Sequence, residues 1–330
     1  MPKILIAPAT LAGVDASYKK VFADAGFSLV FPPVQRQMTE AELMEALHGI
    51  DACIAGSEPY TPRVLQAHRQ LKVIARAGVG YDAVDVAAAT ELCMVVTIAP
   101  GTNQDSVAEH TFALILAIAK NLIAQVEGTR AGKWPRKSNL PLRGRTLGIA
   151  GLGRIGKAVA LRGECFGMKL LAYEPFPDHD FIARHKIGLV PMERLFAESD
   201  YLSIHVPLTP ESKYLINKKT LALMKPTAYL INTARGGLVC EADLIAALKA
   251  KQIAGAGLDV FEEEPPPPSE LFRMENVVVT PHAAGVDLQS RDDMAESAAR
   301  GIVDLARGQW PAEKVVNPEV RSKFRWTAGS

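Results

Sequence analysis

The run Gly151-Leu152-Gly153-Arg154-Ile155-Gly156 is the stretch whose residue types and spacing most directly specify chemistry. It follows the apolar segment TLGIA (146–150) and opens a helical run, Arg154–Phe166. An acidic residue, Glu174, closes the next apolar segment, 18 positions (174 − 156) past the last glycine. Strand, GxGxxG, helix and acid in that order describe a dinucleotide-binding turn. Gly151 permits the tight turn, Gly153 lets the backbone approach a pyrophosphate, and Gly156 allows the helix to pack closely on the strand. The helix start, with Arg154 and Ile155 as its first residues, offers N–H groups and the positive end of its dipole. Glu174 is placed to accept hydrogen bonds from the adenosine ribose hydroxyls. Its charge repels a 2′-phosphate, and Pro175 follows where NADP would want a cation, so the expected cofactor is NAD(H).

Other reactive side chains give weaker patterns. Asp178-His179-Asp180 with His185 looks superficially like a ligand set, but it lies in a polar loop, and no metal is expected. Cys53, Cys93, Cys165 and Cys240 are widely separated without CxxC spacing, which fits reduced thiols in a cytoplasmic protein. His110 reads as a satisfied interior residue of a helix, and His205 as a structural residue at a strand end.

The elements that must position these groups alternate from end to end. Strands are expected at Lys3–Ala7, Ser28–Phe31, Ala52–Ala55, Val73–Ala75 and Met94–Thr97. A second set is expected at Thr146–Ala150, Lys169–Tyr173, Gly188–Val190, Tyr201–Ile204, Ala228–Ile231, Gly255–Leu258 and Val277–Val279. Continuously apolar strands separated by helices imply parallel sheets covered on both faces. One intervening helix, Thr39–Gly49, carries capping-box spacing at Thr39 and Glu42. Two long helices, Asp105–Glu127 after Pro100-Gly101 and Asp287–Arg307 after Gly285, interrupt the rhythm and are read as domain crossings. The expected architecture is α/β: two doubly wound parallel-sheet domains with a cleft between them. The first is residues 1–100 completed by 286–330; the second, 101–285, is a Rossmann dinucleotide-binding domain.

Composition narrows the function classes. Lys and Arg number 37 against 36 Asp and Glu, a net charge of +1, which gives no electrostatic reason for a nucleic-acid or anionic membrane partner. The longest apolar stretch, Phe112–Ala119, falls far short of the roughly 20 residues of a membrane span. The N-terminal MPKILIAPAT lacks the basic and apolar regions of a signal peptide.

Seven segments together make a more specific pattern: RAGVGYDAVD (76–85), PGTNQDSVAEH (100–110), GKWPRKSNLPLRGRTLGIAGLGRIGKAVA (132–160), HVPLTPESKYLIN (205–217), INTARGGLVCEADL (231–244), AGLDVFEEEP (256–265) and TPHAAG (280–285). With them the chain resembles the D-isomer-specific 2-hydroxyacid dehydrogenases, in their phosphoglycerate dehydrogenase-like branch without a C-terminal regulatory domain. The resemblance covers about residues 50–317. It implies a catalytic trio of Arg235, Glu264 and His282, an NAD-dependent oxidoreductase acting on CH–OH groups, and a homodimer. The chemistry suits those residue types. Arg235 can grip a 2-keto acid's carboxylate with its planar fork. His282, with an unperturbed pKa near 6.5, can give a proton to the C2 oxygen or take one back. Glu264 on the other ring nitrogen would favour the protonated imidazole and orient it.

The same resemblance implies that Arg76 and the backbone N–H groups of Val79 and Gly80 hold the substrate. It places Val206, Thr233, Ala234, Asp259, Gly285 and Ser106 around the cofactor, with Asp259 accepting from the carboxamide. The expected reaction is hydride transfer between NAD(H) and a small 2-hydroxy or 2-keto acid, with 3-phosphoglycerate as one candidate. The alternatives are a glyoxylate or hydroxypyruvate reductase, and an NADH-sensing binding protein on the same fold. In CIAGSEPYT, Gly56 stands where an arginine is expected in phosphoglycerate-using members, although Arg36, Arg63 or a partner subunit could substitute. The tail, Pro318–Ser330, is read either as loosely ordered or as a strap against the first domain or a second subunit.

Overall fold

In a computed structural model, which describes residues 1–136 and 138–326, the chain divides into two compact units, Met1–Asn103 with Val286–Ser330, and Gln104–Gly285. The last four residues of the tail, 327–330, lie outside the described residues.

The first unit is built on β1 (Lys3–Ile6), β2 (Ser28–Val30), β3 (Ala52–Ala55), β4 (Val73–Arg76) and β5 (Val95–Thr97). All pair in parallel, in the order β2-β1-β3-β4-β5. Alternate residues enter opposite faces, as a strand's two-residue period requires. Leu5, Cys53, Ala55, Ile74 and Val96 join one apolar cluster, and Ile4, Ile6, Ile54, Val73, Ala75 and Val95 the other. The second cluster is completed from the far end of the chain, where helix Leu288–Ala306 contributes Ala295, Ala298, Ala299 and Ile302. Asp287 caps that helix by accepting from the Ser290 N–H. On helix Glu40–Ala46 the anticipated box is made in full: the Thr39 side chain accepts from Glu42 N–H, and the Glu42 carboxylate accepts from Thr39 N–H.

The second unit carries β6 (Thr146–Ala150), β7 (Lys169–Tyr173), β8 (Gly188–Leu189), β9 (Tyr201–Ile204), β10 (Tyr229–Asn232), β11 (Gly255–Leu258) and β12 (Val277–Val279). Their parallel order, β12-β11-β10-β9-β6-β7-β8, reverses direction between β6 and β9. This is the doubly wound arrangement whose switch point receives a ligand beyond the strands' carboxyl ends. Expected and observed strands differ by a residue at several ends, where hydrogen bonding fades.

The expected single helix Asp105–Glu127 is corrected to two, Gln104–Ala119 and Leu122–Arg130, bent by 62°. Asn121 breaks it, with φ of 49° in the left-handed region that asparagine tolerates better than most residues. The first half is core, burying Ala108, Phe112, Leu114 and Ile115, whereas the second buries none of its side chains. Among the described residues no single helix is long and apolar enough to cross a membrane.

The tail up to Trp326 is ordered on its own unit. Trp326 stacks on Phe27 at 5.9 Å, and Phe324 lies edge-on to Trp310 at 6.3 Å. The strap reading describes this segment.

Candidate active site

Because the seven strands are parallel, all their carboxyl ends open on one edge, and most of the singled-out residues of this unit fall there. At the end of β6, Gly151 adopts φ +96°, and a Cβ on it would stand 2.8 Å from the His205 backbone. A Cβ on Gly156 would stand 2.0 Å from the Gly151 carbonyl oxygen, so strand and helix meet only without a side chain. Gly153 differs: a Cβ there would meet nothing within 4 Å. It is the N-cap of the twelve-residue helix Arg154–Cys165 and makes no side-chain cap bond. Arg154 is exposed and Ile155 half-buried beside it. Open space facing the start of a long helix is what a pyrophosphate needs, and the residues present fit a dinucleotide.

Glu174, half-buried past the end of β7, accepts from the Leu152 N–H at 2.7 Å and from the Phe176 N–H at 3.0 Å. Its carboxylate is thus fastened to the glycine loop itself, which holds its negative charge beside the site expected for the adenosine ribose.

At the end of β10, buried Asn232 shapes the turn that presents Arg235. Its Nδ2 donates to the Arg235 carbonyl at 2.8 Å, and its Oδ1 accepts from the Ala234 N–H at 3.1 Å. Thr233 is buried with its hydroxyl 3.0 Å from that of Thr111. Arg235 is half-buried and donates to the Ala234 carbonyl at 2.6 Å. A Cβ on Gly236 would lie 1.8 Å from the Phe261 carbonyl oxygen, so the arginine turn is pressed against the chain beyond β11. That chain carries Glu264, whose Oε1 accepts from the Phe261 N–H at 3.0 Å. Its Oε2 lies 2.6 Å from Nδ1 of His282, which follows β12. Burial opposes ionisation of Glu264, yet the bond to His282, that ring's charge, the Phe261 N–H and the charge of Arg235 hold its carboxyl below the usual value. With Nδ1 committed, the exposed imidazole of His282 keeps Nε2 for another molecule.

Asp259 organises the loop that carries this histidine. It is fully buried; its carbonyl accepts from the His282 N–H at 2.8 Å, and its carboxylate accepts from Ala283 and Ala284 N–H, both at 2.9 Å, and from the Thr280 hydroxyl at 2.6 Å. Three successive N–H groups converging on one residue hold His282 at φ +52°. Ser106 donates to the Ala284 carbonyl at 2.7 Å, fixing the loop from the other side just before Gly285. The expected contacts of Asp259 and Ser106 with a cofactor thus stand beside a loop-holding role that was not anticipated. Val206, half-buried after β9, has its backbone N 3.0 Å from the place of a Gly151 Cβ.

In the first unit, Arg76 ends β4 and is 8% exposed, with Nε donating to the Gly80 carbonyl at 2.8 Å. Val79 and Gly80 are half-buried in the turn this bond closes. Elsewhere, Asp178 caps helix His179–Arg184 and pairs with Lys157, and His185 pairs with Glu164. His205 bonds Ser203 through Nε2, and burial pulls its pKa down to about 3, which keeps it neutral.

Sequence reasoning missed Asn232 and Thr280, and it set His110 aside as a satisfied residue of a helix. His110 Nε2 lies 2.9 Å from the Thr280 hydroxyl and 3.5 Å from Asp259. The available signal was a polar residue closing or following an apolar strand, as Asn232 and Thr280 do.

A seven-stranded doubly wound sheet with a glycine-loop helix at its switch point, and a paired acid and imidazole at the same edge, defines a nicotinamide-dinucleotide oxidoreductase. The family model for the D-isomer specific 2-hydroxyacid dehydrogenase NAD binding domain matches residues 112–284, and the chain belongs to that family. It is 41% identical over 286 residues to the glyoxylate reductase of Korarchaeum cryptofilum, covering 84% of this chain and 86% of that protein. The D-3-phosphoglycerate dehydrogenase of Synechocystis is 39% identical over 300 residues, which are 88% of this chain but 54% of that protein. Among solved structures, the TT0316 protein of Thermus thermophilus superposes with a TM-score of 0.84 at 34% identity, covering 95% of this chain and 99% of that one. The cofactor is NAD, and the chain is an oxidoreductase of 2-hydroxy acids.

Proposed function

We propose that Arg235, Glu264 and His282 interconvert a small D-2-hydroxy acid and its 2-keto acid. The 2.6 Å bond between His282 and Glu264, on a loop packed against the turn of Arg235, carries this reading. When bound, the nicotinamide supplies or accepts the hydride. Arg235 holds the substrate carboxylate, and orientation of the C2 carbonyl follows from that grip. His282 Nε2 donates a proton to the C2 oxygen as negative charge grows there, and takes it back in the oxidative direction. Glu264 stabilises the imidazolium through Nδ1 and fixes the ring. Glu174 sets the preference for NADH over NADPH. Arg76 with the Val79 and Gly80 N–H groups contributes to substrate binding.

NADH oxidation with a panel of 2-keto acids tests the reading. His282→Ala is expected to lower kcat by about 10²–10⁴, the usual worth of a general acid, with NADH still bound. Arg235→Lys is expected to leave most of the KM defect of Arg235→Ala. NADH binding without turnover on any keto acid would instead make the protein an NADH sensor.

The reading includes a homodimer in a reducing, cytoplasmic setting. Helix Leu122–Arg130 and the chain after it leave Leu122, Ile123 and Val126 at least 38% exposed and Trp134 at 78%, which supports pairing through the nucleotide-binding unit.

A further inference from the structure

A single stretch of helix Gln104–Ala119 holds both flanks of the loop that carries His282. Ser106 and His110, four positions apart and so on one face of the helix, reach that loop at different points. Ser106 bonds the Ala284 carbonyl at 2.7 Å, and Nε2 of His110 lies 2.9 Å from the Thr280 hydroxyl oxygen. All of these residues belong to the second unit. The Thr280 hydroxyl has one proton, and it donates that proton to Asp259 Oδ1 at 2.6 Å. Toward the imidazole it can only accept, so the hydrogen of this bond sits on Nε2 of His110.

The chain of bonds continues beyond Asp259. Its carboxylate accepts from the Ala283 and Ala284 N–H groups at 2.9 Å each, and its carbonyl from the His282 N–H at 2.8 Å. Asp259 is fully buried, and among the described residues His110, at 3.5 Å, is the one basic side chain within ion-pair distance of it. His282 itself stands at φ +52°, a conformation that a non-glycine residue keeps only where its surroundings over-determine it. A side chain of similar size without a donor at position 110 would fill the helix face and leave the chain of bonds open at its outer end.

We propose that His110 is a positioning residue for His282: donating from Nε2, it fixes Thr280 and, through Asp259, the loop that seats the His282 imidazole against Glu264. The inference rests on the dehydrogenase reading above. Because His110 acts through other residues, its effect falls on orientation of the proton donor, which a displacement of about 1 Å degrades strongly.

The test compares His110→Leu, which removes the donor, with His110→Gln, whose amide can restore it, in steady-state NADH oxidation by the full chain with the 2-keto acid it reduces fastest. The leucine variant is expected to lose about tenfold or more in kcat, with keto-acid KM and NADH affinity within about twofold of wild type. The glutamine variant is expected to recover most of that loss. A leucine variant with wild-type kcat overturns the inference, as does a folded, NADH-binding glutamine variant as impaired as the leucine one. Adding His110→Leu to Thr280→Val tests the route: little further loss is expected, and losses that multiply overturn action through Thr280. If the variants do not fold, NMR of the wild type carrying isotope-labelled histidine decides. In the neutral ring of His110 the proton is expected on Nε2, and a proton on Nδ1 overturns the inference. Wild-type turnover that His110→Leu leaves intact removes this inference alone; no wild-type turnover with any 2-keto acid removes the dehydrogenase reading with it.

Discussion

At the scale of single residues, the proposed mechanism asks one carboxylate to stay ionised. Burial pushes the carboxyl of Glu264 up, but His282, the Phe261 N–H and the charge of Arg235 together hold it below its ordinary value of 4.5. A depressed native pKa gives stability that is fully present above the unfolded value and is lost as pH falls through the native one. Urea unfolding of the wild type is therefore expected to weaken below pH 4.5 with a contribution that Glu264→Gln removes. An identical acid-side slope in the two proteins would show that the carboxylate is not proton-linked to folding. The candidate residues were legible, since Arg235, Glu264 and His282 each sit in a segment whose neighbours mark it, and the structure joins two of them, Glu264 and His282. The supporting hydrogen bonds were not. Nothing in the spacing of Asn232, Asp259 and Thr280 says that their side chains hold backbone N–H and C=O groups of the adjoining loops, because such bonds depend on loop paths that the strand pattern does not encode.

At the scale of elements, the three glycines of the dinucleotide turn divide by what surrounds them. Gly156 lies against backbone and Gly153 against open space. Gly156→Val is accordingly expected to lower Tm, since β6 and its helix must separate. Gly153→Val is expected to leave Tm nearly unchanged while weakening NADH binding about tenfold or more, because its side chain enters the space a pyrophosphate needs. Calorimetry together with NADH fluorescence titration separates the two, and equal effects of both variants on Tm would contradict the division. The strands were readable because buried parallel strands are short, apolar and β-branched. The break at Asn121 was not, since an apolar helical pattern runs on either side of it and only a left-handed asparagine divides them. The register of β10, β11 and β12, which brings Arg235, Glu264 and His282 to one edge, came from topology, and the alternation of strands and helices leaves strand order open.

At the scale of the whole molecule, exposed apolar side chains and the return of the tail have separate consequences. If pairing uses helix Leu122–Arg130 and Trp134, then Ile123→Glu combined with Trp134→Glu is expected to halve the mass seen by light scattering while each monomer still binds NADH. A mass unaffected by these changes would move the interface elsewhere. The tail, for its part, clasps β5: Asn317 is fully buried, accepts from the Val96 N–H at 2.9 Å and donates to the Met94 carbonyl at 2.9 Å. Thr97 and Val315 bridge in antiparallel fashion beside it. The first unit is thus finished by residues made after the whole of the second unit. During synthesis every strand of the nucleotide-binding sheet leaves the ribosome before helix Leu288–Ala306 can cover the first sheet's second face. Protease protection of arrested nascent chains should accordingly appear in residues 104–285 ahead of residues 1–103, although the latter are translated earlier.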